Sequence, residues 1–322
     1  MSSSVDSRKA EPSYLSTKSR IRVSDLRVAK ERAQKWAMLT SYDATSARIF
    51  DFAGLPCLLV GDSAAQAVYG YKSTLPVTMD ELIPLARAVA SSCQRALVIA
   101  DMPFGSYQES PQQALRNATR FMKEAQVHGV KLEGGSEYEA HVSLLSSAGI
   151  PVMAHLGFTP QSEHTLGGFK IQGRGESQKS KIMLDAQVLE KAGAFACVLE
   201  LVPNDVSELV TKNLSIPTIG IGAGPHCDAQ ILVWTDMVGF SPPKEAQTSS
   251  ATSLKTYGAE DKEREPSSSS PKSTGSFQLQ IAKGPKFVKR YAALSEIIYN
   301  AVIQYVREVE SGDYPAPEHC YQ

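Results

Sequence analysis

Three apolar runs in this chain meet an acid where burial would otherwise continue. LLVGDS (58–63) ends in Asp62 and Ser63, ALVIADMP (96–103) carries Asp101, and ACVLELVP (196–203) carries Glu200. Taking one carboxylate out of water costs on the order of several kcal/mol unless it is paired or bound to a metal. Two more runs behave alike: GVKLEG (129–134) holds Lys131 and Glu133, and PVMAHLG (151–157) holds His155. Side chains two apart on a strand share a face, so Lys131 and Glu133 are expected side by side. A cation there could hold a carboxylate or a developing enolate oxygen, with a structural salt bridge as the alternative. Asp62, Asp101 and Glu133 form a hard-oxygen set suited to Mg²⁺. That ion takes one or two protein carboxylates, keeps several waters and leaves positions for substrate oxygens. Strand-end capping or a solvated loop is the alternative for Asp62 and Asp101 taken singly, and a hydrogen-bonded structural histidine is the favoured one for His155. Zinc does not suit the sequence, whose six histidines show no HExxH. GIGAG (220–224) fails the GxGxxG pattern because Pro225 follows, and reads as a rim turn rather than a phosphate loop.

These residues need elements that bring them together. Eight short apolar or β-branched runs, at 36–42, 57–63, 96–103, 129–134, 151–157, 195–202, 217–224 and 231–236, alternate with segments of helical pattern. Thr78 and Glu81 predict a capping box before ELIPLARAVASS. Ser110-Pro111-Gln112-Gln113 predicts an N-cap followed by a proline at the first helical position. Ala114, Leu115, Ala118, Phe121, Met122 and Ala125 then recur at helical spacing. Strand–helix alternation repeated eight times predicts an α/β fold, a closed (β/α)₈ barrel, with an open doubly wound sheet as the competitor. In such a barrel the active site lies at the C-terminal rim of the strands, where all the residues singled out above would converge.

Composition narrows the partner. With 42% hydrophobic and 21% charged residues over 322 positions, and a net charge of -1, nothing gives the molecule a basic field for nucleic acid. The short basic patch PKFVKRY (285–291) reads as a solvated helix start. Cys57, Cys93, Cys197, Cys227 and Cys320 are odd in number and form no CxxC, which points to reduced thiols in an intracellular compartment. No apolar run approaches the roughly 18 residues of a membrane span, so a soluble protein acting on a small molecule is expected.

Two segments fall outside the alternation. Residues 1–30 begin with a Ser-, Arg- and Lys-rich stretch that predicts a disordered extension, with a transit peptide as the other reading. Residues 31–322 are expected to form a single barrel domain. Within it, residues 242–276 are dense in Ser, Thr, Pro, Lys and Glu and predict a disordered insertion. After the insertion, Tyr291, Leu294, Ile297, Ile298, Ala301, Val302, Tyr305 and Val309 mark one face of a closing helix.

The stretches MLTSYDATSARIFDFAG, LLVGDS, STLPVTMDE, ADMPFGSY, VKLEGG, VMAHLGFTPQS, GGFKIQGR, LELVP and IGIGAG, in this order, strongly resemble the 3-methyl-2-oxobutanoate (ketopantoate) hydroxymethyltransferase family. The resemblance runs from about Trp36 to Gly239 and resumes from Pro285 to His319, where ESGDYPAPEH is similar to the family's ending. It implies a (β/α)₈ barrel of the phosphoenolpyruvate/pyruvate-like superfamily and Mg²⁺ dependence. It also implies transfer of a one-carbon unit from 5,10-methylenetetrahydrofolate to 3-methyl-2-oxobutanoate, giving 2-dehydropantoate, in the first committed step of pantothenate synthesis. The family's metal ligands fall on Asp62, Asp101 and Glu133, its substrate contacts on Asp62, Ser63, Asp101 and Lys131, and its proton acceptor on Glu200. A homo-oligomer, commonly a decamer in the family, is implied as well. The extension is similar to what fungal or plant members carry for mitochondrial targeting, with a cytoplasmic protein as the alternative.

Two competing readings predict different residues. A C–C lyase or phosphonomutase of the same superfamily would share the barrel and the metal but use a cysteine in a KKCGH-like or lid motif, and none of the five cysteines stands in one. A barrel acting only as a ligand sensor or scaffold would be expected to have lost an acid at the rim.

Overall fold

Each of the eight apolar runs forms a parallel strand: β1 Trp36–Thr40, β2 Cys57–Val60, β3 Leu97–Asp101, β4 Gly129–Glu133, β5 Val152–Gly157, β6 Ala196–Glu200, β7 Thr218–Ile221 and β8 Ala229–Leu232. They pair in sequence order and close, β8 against β1, into a barrel. The computed structural model describes residues 13–240 and 285–321. The expected insertion at 242–276 and the first part of the expected extension lie outside the described residues.

Alternation along the strands divides the core in two. One set of side chains, including Leu39, Leu58, Val60, Val98, Val130 and Leu132, points outward to the helices. The other set, including Met38, Leu59, Ile99, Met153, Val198 and Ile231, fills the barrel interior. Gly129 lies at a narrow point of that interior, where a Cβ would fall 2.7 Å from Pro151 O and 3.1 Å from Ile99 Cδ1. The capping box of Thr78 and Glu81 starts the helix Met79–Ser92, and Ser110 caps the helix Pro111–Arg120 with Pro111 at its start.

Three sequence expectations are corrected. Residues 13–30 of the expected extension are structured: Leu15, Ile21 and, on the helix Val23–Glu31, Leu26 and Ala29 are buried against the barrel's interior residues. Lys30 holds that helix in place, its Nζ 2.8 Å from Asp228 Oδ2. The Lys- and Arg-rich composition concealed these scattered apolar positions. The eighth strand begins two residues early and ends at Leu232, because Trp234–Met237 turns into a short helix. In the closing helix, Leu294–Ser311, only the later part of the expected face is buried: Val302, Tyr305 and Val309 are covered, whereas Leu294 and Ile297 remain 62% and 58% exposed. Tyr305 ties this helix to the barrel, its hydroxyl donating to Gln230 O at 2.8 Å.

Candidate active site

The strand register places the polar residues beside one another. Asp101 on β3 pairs with Lys131 on β4, and Glu133 on β4 pairs with His155 on β5. All four share the inward parity of Ile99 and Met153 below them, but they stand at the upper ends of the strands, where apolar filling stops. Asp101, Lys131, Glu133 and His155 are each no more than 4% exposed. They form the floor of a cavity of about 350 Å³ at the C-terminal rim, whose lining also includes Asp62, Ser63 and Glu200. The six site residues read from the sequence therefore meet in one place.

Lys131 stands at the centre. Its Nζ lies 2.8 Å from Asp101 Oδ1, 3.7 Å from Glu133 Oε1 and 3.2 Å from His155 Nδ1. His155 continues the chain, with Nδ1 3.4 Å from Glu133 Oε1 and Nε2 3.2 Å from Glu200 Oε2. Burial and Lys131 push the imidazolium down, but the contacts with Glu133 and Glu200 outweigh them and raise His155 to about 9. Glu200 is less enclosed than its neighbours, with 16% of its side chain exposed to the cavity. Ser63 Oγ is 2.8 Å from the Tyr42 hydroxyl, and Gly61 leaves room for it, since a Cβ at that position would fall 2.7 Å from Ser63 Oγ.

Two residues that the sequence reading did not assign hold the acids in place. Gln161 follows β5, in the FTPQS stretch. Its Nε2 donates to Asp62 Oδ2 at 2.9 Å and to Met102 O at 3.0 Å, while its backbone N–H donates to Glu133 Oε2 at 3.0 Å. Tyr107 orients the amide by donating from its hydroxyl to Gln161 Oε1 at 2.7 Å, and it accepts from Glu133 N at 3.2 Å. Both lie in stretches quoted above for the resemblance. The available signal was a polar side chain just past a buried strand end.

The acids outnumber the cations. Burial, then Asp101 and Glu133, hold the Asp62 carboxyl well above the usual carboxylate range, and burial raises Asp101 despite Lys131. Glu133 is lowered: burial opposes its charge, but His155, Lys131 and the Gln161 N–H together prevail. Asp101 Oδ1 and Glu133 Oε1 are buried without a well-aligned hydrogen bond, although Lys131 Nζ stands 2.8 Å and 3.7 Å from them. Buried oxygens short of aligned donors, surplus negative charge and an all-oxygen set fit a hard divalent cation. The expected trio is not assembled around one point, however. Among the described residues no three His, Cys, Asp or Glu side chains are grouped to enclose an ion, because Lys131 stands between Asp101 and Glu133. An ion that keeps several waters does not need all three acids in direct contact.

The ketopantoate hydroxymethyltransferase family model matches residues 20–264. A 3-methyl-2-oxobutanoate hydroxymethyltransferase from Saccharopolyspora erythraea is 50% identical over 303 residues, 94% of this chain and 90% of that protein. One from Mycobacterium marinum is 46% identical over 321 residues, 99% of this chain and 95% of that protein. In fold, the chain is similar to phosphonopyruvate hydrolase (TM-score 0.51, 15% identity, 66% of this chain and 80% of that one). It is also similar to 2,3-dimethylmalate lyase, a PEP mutase/isocitrate lyase superfamily member (TM-score 0.51, 19% identity, 68% of this chain and 82% of that one).

Proposed function

The chain belongs to the ketopantoate hydroxymethyltransferase family and is a hydroxymethyltransferase, and from that premise we propose how its pocket works. The substrate is 3-methyl-2-oxobutanoate, the one-carbon donor is 5,10-methylenetetrahydrofolate and the metal is Mg²⁺. Asp62 and Asp101 would hold the ion, with Glu133 the third oxygen donor of the set. When bound, a divalent cation supplies Lewis-acid polarisation of a 2-oxo acid, which makes the adjacent carbon acidic.

The chain's own residues supply the rest. Lys131, fixed against Asp101, presents an ammonium to the substrate's keto oxygen and stabilises negative charge as it develops there. Ser63, held by Tyr42, contacts the substrate carboxylate. Glu200 takes the C3 proton, and His155, 3.2 Å behind it, orients the carboxylate. C3 bonds to the donor's methylene carbon, both C–N bonds of that carbon break, and water supplies the hydroxyl. The C3 proton and water's second proton end on the two nitrogens of tetrahydrofolate, which leaves with 2-dehydropantoate. The single observation that carries this reading is the convergence of Asp62, Ser63, Asp101, Lys131, Glu133 and Glu200 around one rim cavity. No cysteine is among the residues lining that cavity, which speaks against the cysteine-dependent lyase alternative.

Two further parts of the reading rest on other observations. Phe52, Leu294 and Ile297 are large apolar side chains with substantial exposure, which supports a homo-oligomer. The alignment with the Mycobacterium marinum protein takes in 99% of this chain, the N-terminal extension included. A bacterial counterpart for that segment favours a cytoplasmic protein over a mitochondrial one. Among the described residues no helix is long and apolar enough to cross a membrane.

The test is direct: purified protein, Mg²⁺, 3-methyl-2-oxobutanoate and methylenetetrahydrofolate, followed for 2-dehydropantoate. Product that depends on all three additions is expected. Absence of product with each present would remove the proposed pair of substrates.

A further inference from the structure

The stretch GGFKIQGR (167–174) has no role in the chemistry above, yet it carries the most exposed aromatic side chain at the cavity mouth. Phe169 is 69% exposed. Its ring meets Phe158 edge-on, with centroids 5.1 Å apart, and Phe158 is buried. Phe169 is therefore backed on one side and open on the other. The segment is fastened to the strand end beside the proposed base, because Gln172 N donates to Leu201 O at 2.9 Å.

Phe169 is also a wall shared by two cavities. It lines the 350 Å³ active-site cavity and a neighbouring cleft of about 420 Å³ formed with Lys170, Ile171, Arg174, Leu201 and Tyr321. Leu201 directly follows Glu200, so the cleft opens beside the position where the C3 carbon must meet the one-carbon unit. Tyr321 reaches this rim because Gly222 has no side chain; a Cβ there would lie 3.0 Å from Tyr321 Cε2. Lys170 and Arg174 are exposed at the cleft.

The first cavity is small for what it must take. Sites for drug-sized ligands span roughly 300–1,000 Å³, so 350 Å³ accommodates the oxo acid and the reacting end of a folate but not the whole folate. The remainder has to leave through the mouth. A folate is a flat heteroaromatic ring joined through an aminobenzoyl group to a tail of glutamate carboxylates. The adjoining cleft matches that order: an open aromatic face first, then two cations.

We propose that residues 167–174 and Tyr321 form the folate subsite, with Phe169 stacking on a flat ring of the donor and Lys170 and Arg174 meeting the glutamyl carboxylates. The proposal rests on the reading that a folate is the one-carbon donor. It predicts that affinity rises with the number of glutamates on the tail.

Calorimetry with tetrahydrofolate, the unreactive product form, tests the subsite on the full chain. Phe169→Ala should weaken binding of tetrahydrofolate about tenfold, the scale of one lost ring stack, and Phe169→Tyr should restore it. Binding of 3-methyl-2-oxobutanoate with Mg²⁺, measured on the same protein, should move by less than about twofold. Lys170→Ala combined with Arg174→Ala should weaken the triglutamate form more than the monoglutamate form. Phe169 is largely exposed, so its truncation opens no core cavity. If Phe169→Ala binds tetrahydrofolate as the wild type does, or if the double variant weakens both forms equally, the subsite is wrong. If the wild type itself binds no tetrahydrofolate while still binding the oxo acid, the folate reading fails instead.

Discussion

Gln161 Nε2 donates to Asp62 Oδ2 at 2.9 Å, although the two residues are 99 positions apart in the chain. The same residue's backbone N–H holds Glu133. One glutamine thus fixes the relative positions of two acids.

Gln161→Ala retains the backbone bond to Glu133 but leaves Met102 O and the Tyr107 hydroxyl short of a partner in a buried place. The expected loss of stability is about 1–3 kcal/mol, read as a lower denaturation midpoint. Calorimetric Mg²⁺ affinity should fall as well, because Asp62 is released from its fixed orientation. A variant that is destabilised yet binds Mg²⁺ as tightly as wild type would limit Gln161 to a packing role.

Asp62 offers a test in which activity and stability move in opposite directions. Burial and the neighbouring acids make its charge unfavourable in the metal-free protein. Asp62→Asn keeps the shape and the bond from Gln161 but removes that charge. Turnover and Mg²⁺ binding should be lost, whereas the melting temperature in chelator at neutral pH should rise above that of wild type. Unchanged Mg²⁺ dependence in this variant would remove Asp62 from the ligand set.

The barrel itself was legible in the sequence because buried parallel strands are short apolar runs, and between several of them helix signals, such as Thr78 with Glu81 and Ser110 with Pro111, marked the alternation. The strand ends were legible too: Asp101, Lys131 and Glu200 interrupt runs that otherwise call for burial. Gln161 was not, since a polar residue in a loop is unexceptional until its partners just past β2 and β3 and on β4 are brought within reach. The missing four residues of the eighth strand's C-terminal side have a local cause. ILVWTD is continuous in hydropathy, but Trp234 N donates to Thr40 Oγ1 at 3.1 Å, which turns the chain out of the sheet. The N-terminal segment was less legible for a different reason: its apolar positions, Leu15, Ile21, Leu26 and Ala29, are diluted by basic residues, some exposed, as Arg22 and Arg27 are, and one, Lys30, paired with Asp228.

His155 gives the metal-free protein an alkaline dependence. Its pKa is raised to about 9, above the roughly 6.5 of a free imidazole, so the folded state holds the proton more tightly than the unfolded state does. The stability it contributes is fully present below about pH 6.5 and is lost as pH rises through about 9. Melting temperature in chelator should therefore decline across that window. His155→Asn, which cannot take up the proton, should melt lower at neutral pH but with a shallower decline. An equally steep decline in the variant would assign the dependence to another group.

Glu200 separates the two halves of the proposed reaction. Proton removal comes before carbon–carbon bond formation, so wild-type protein with Mg²⁺ and no folate should exchange the C3 hydrogen of 3-methyl-2-oxobutanoate for solvent deuterium. Glu200→Gln keeps the side chain's size and its approach to His155 but cannot accept the proton. General-base catalysis contributes about 10² to 10⁴ in rate, and exchange and overall turnover should fall together by that order. Affinity for the oxo acid, which rests on Lys131, Ser63 and the metal, should change little. Lys131→Ala should differ by losing affinity and rate at once, because its ammonium meets the substrate oxygen before and during reaction. Exchange at the wild-type rate in Glu200→Gln, without product, would move Glu200 from the first proton transfer to a later one, at release of the folate.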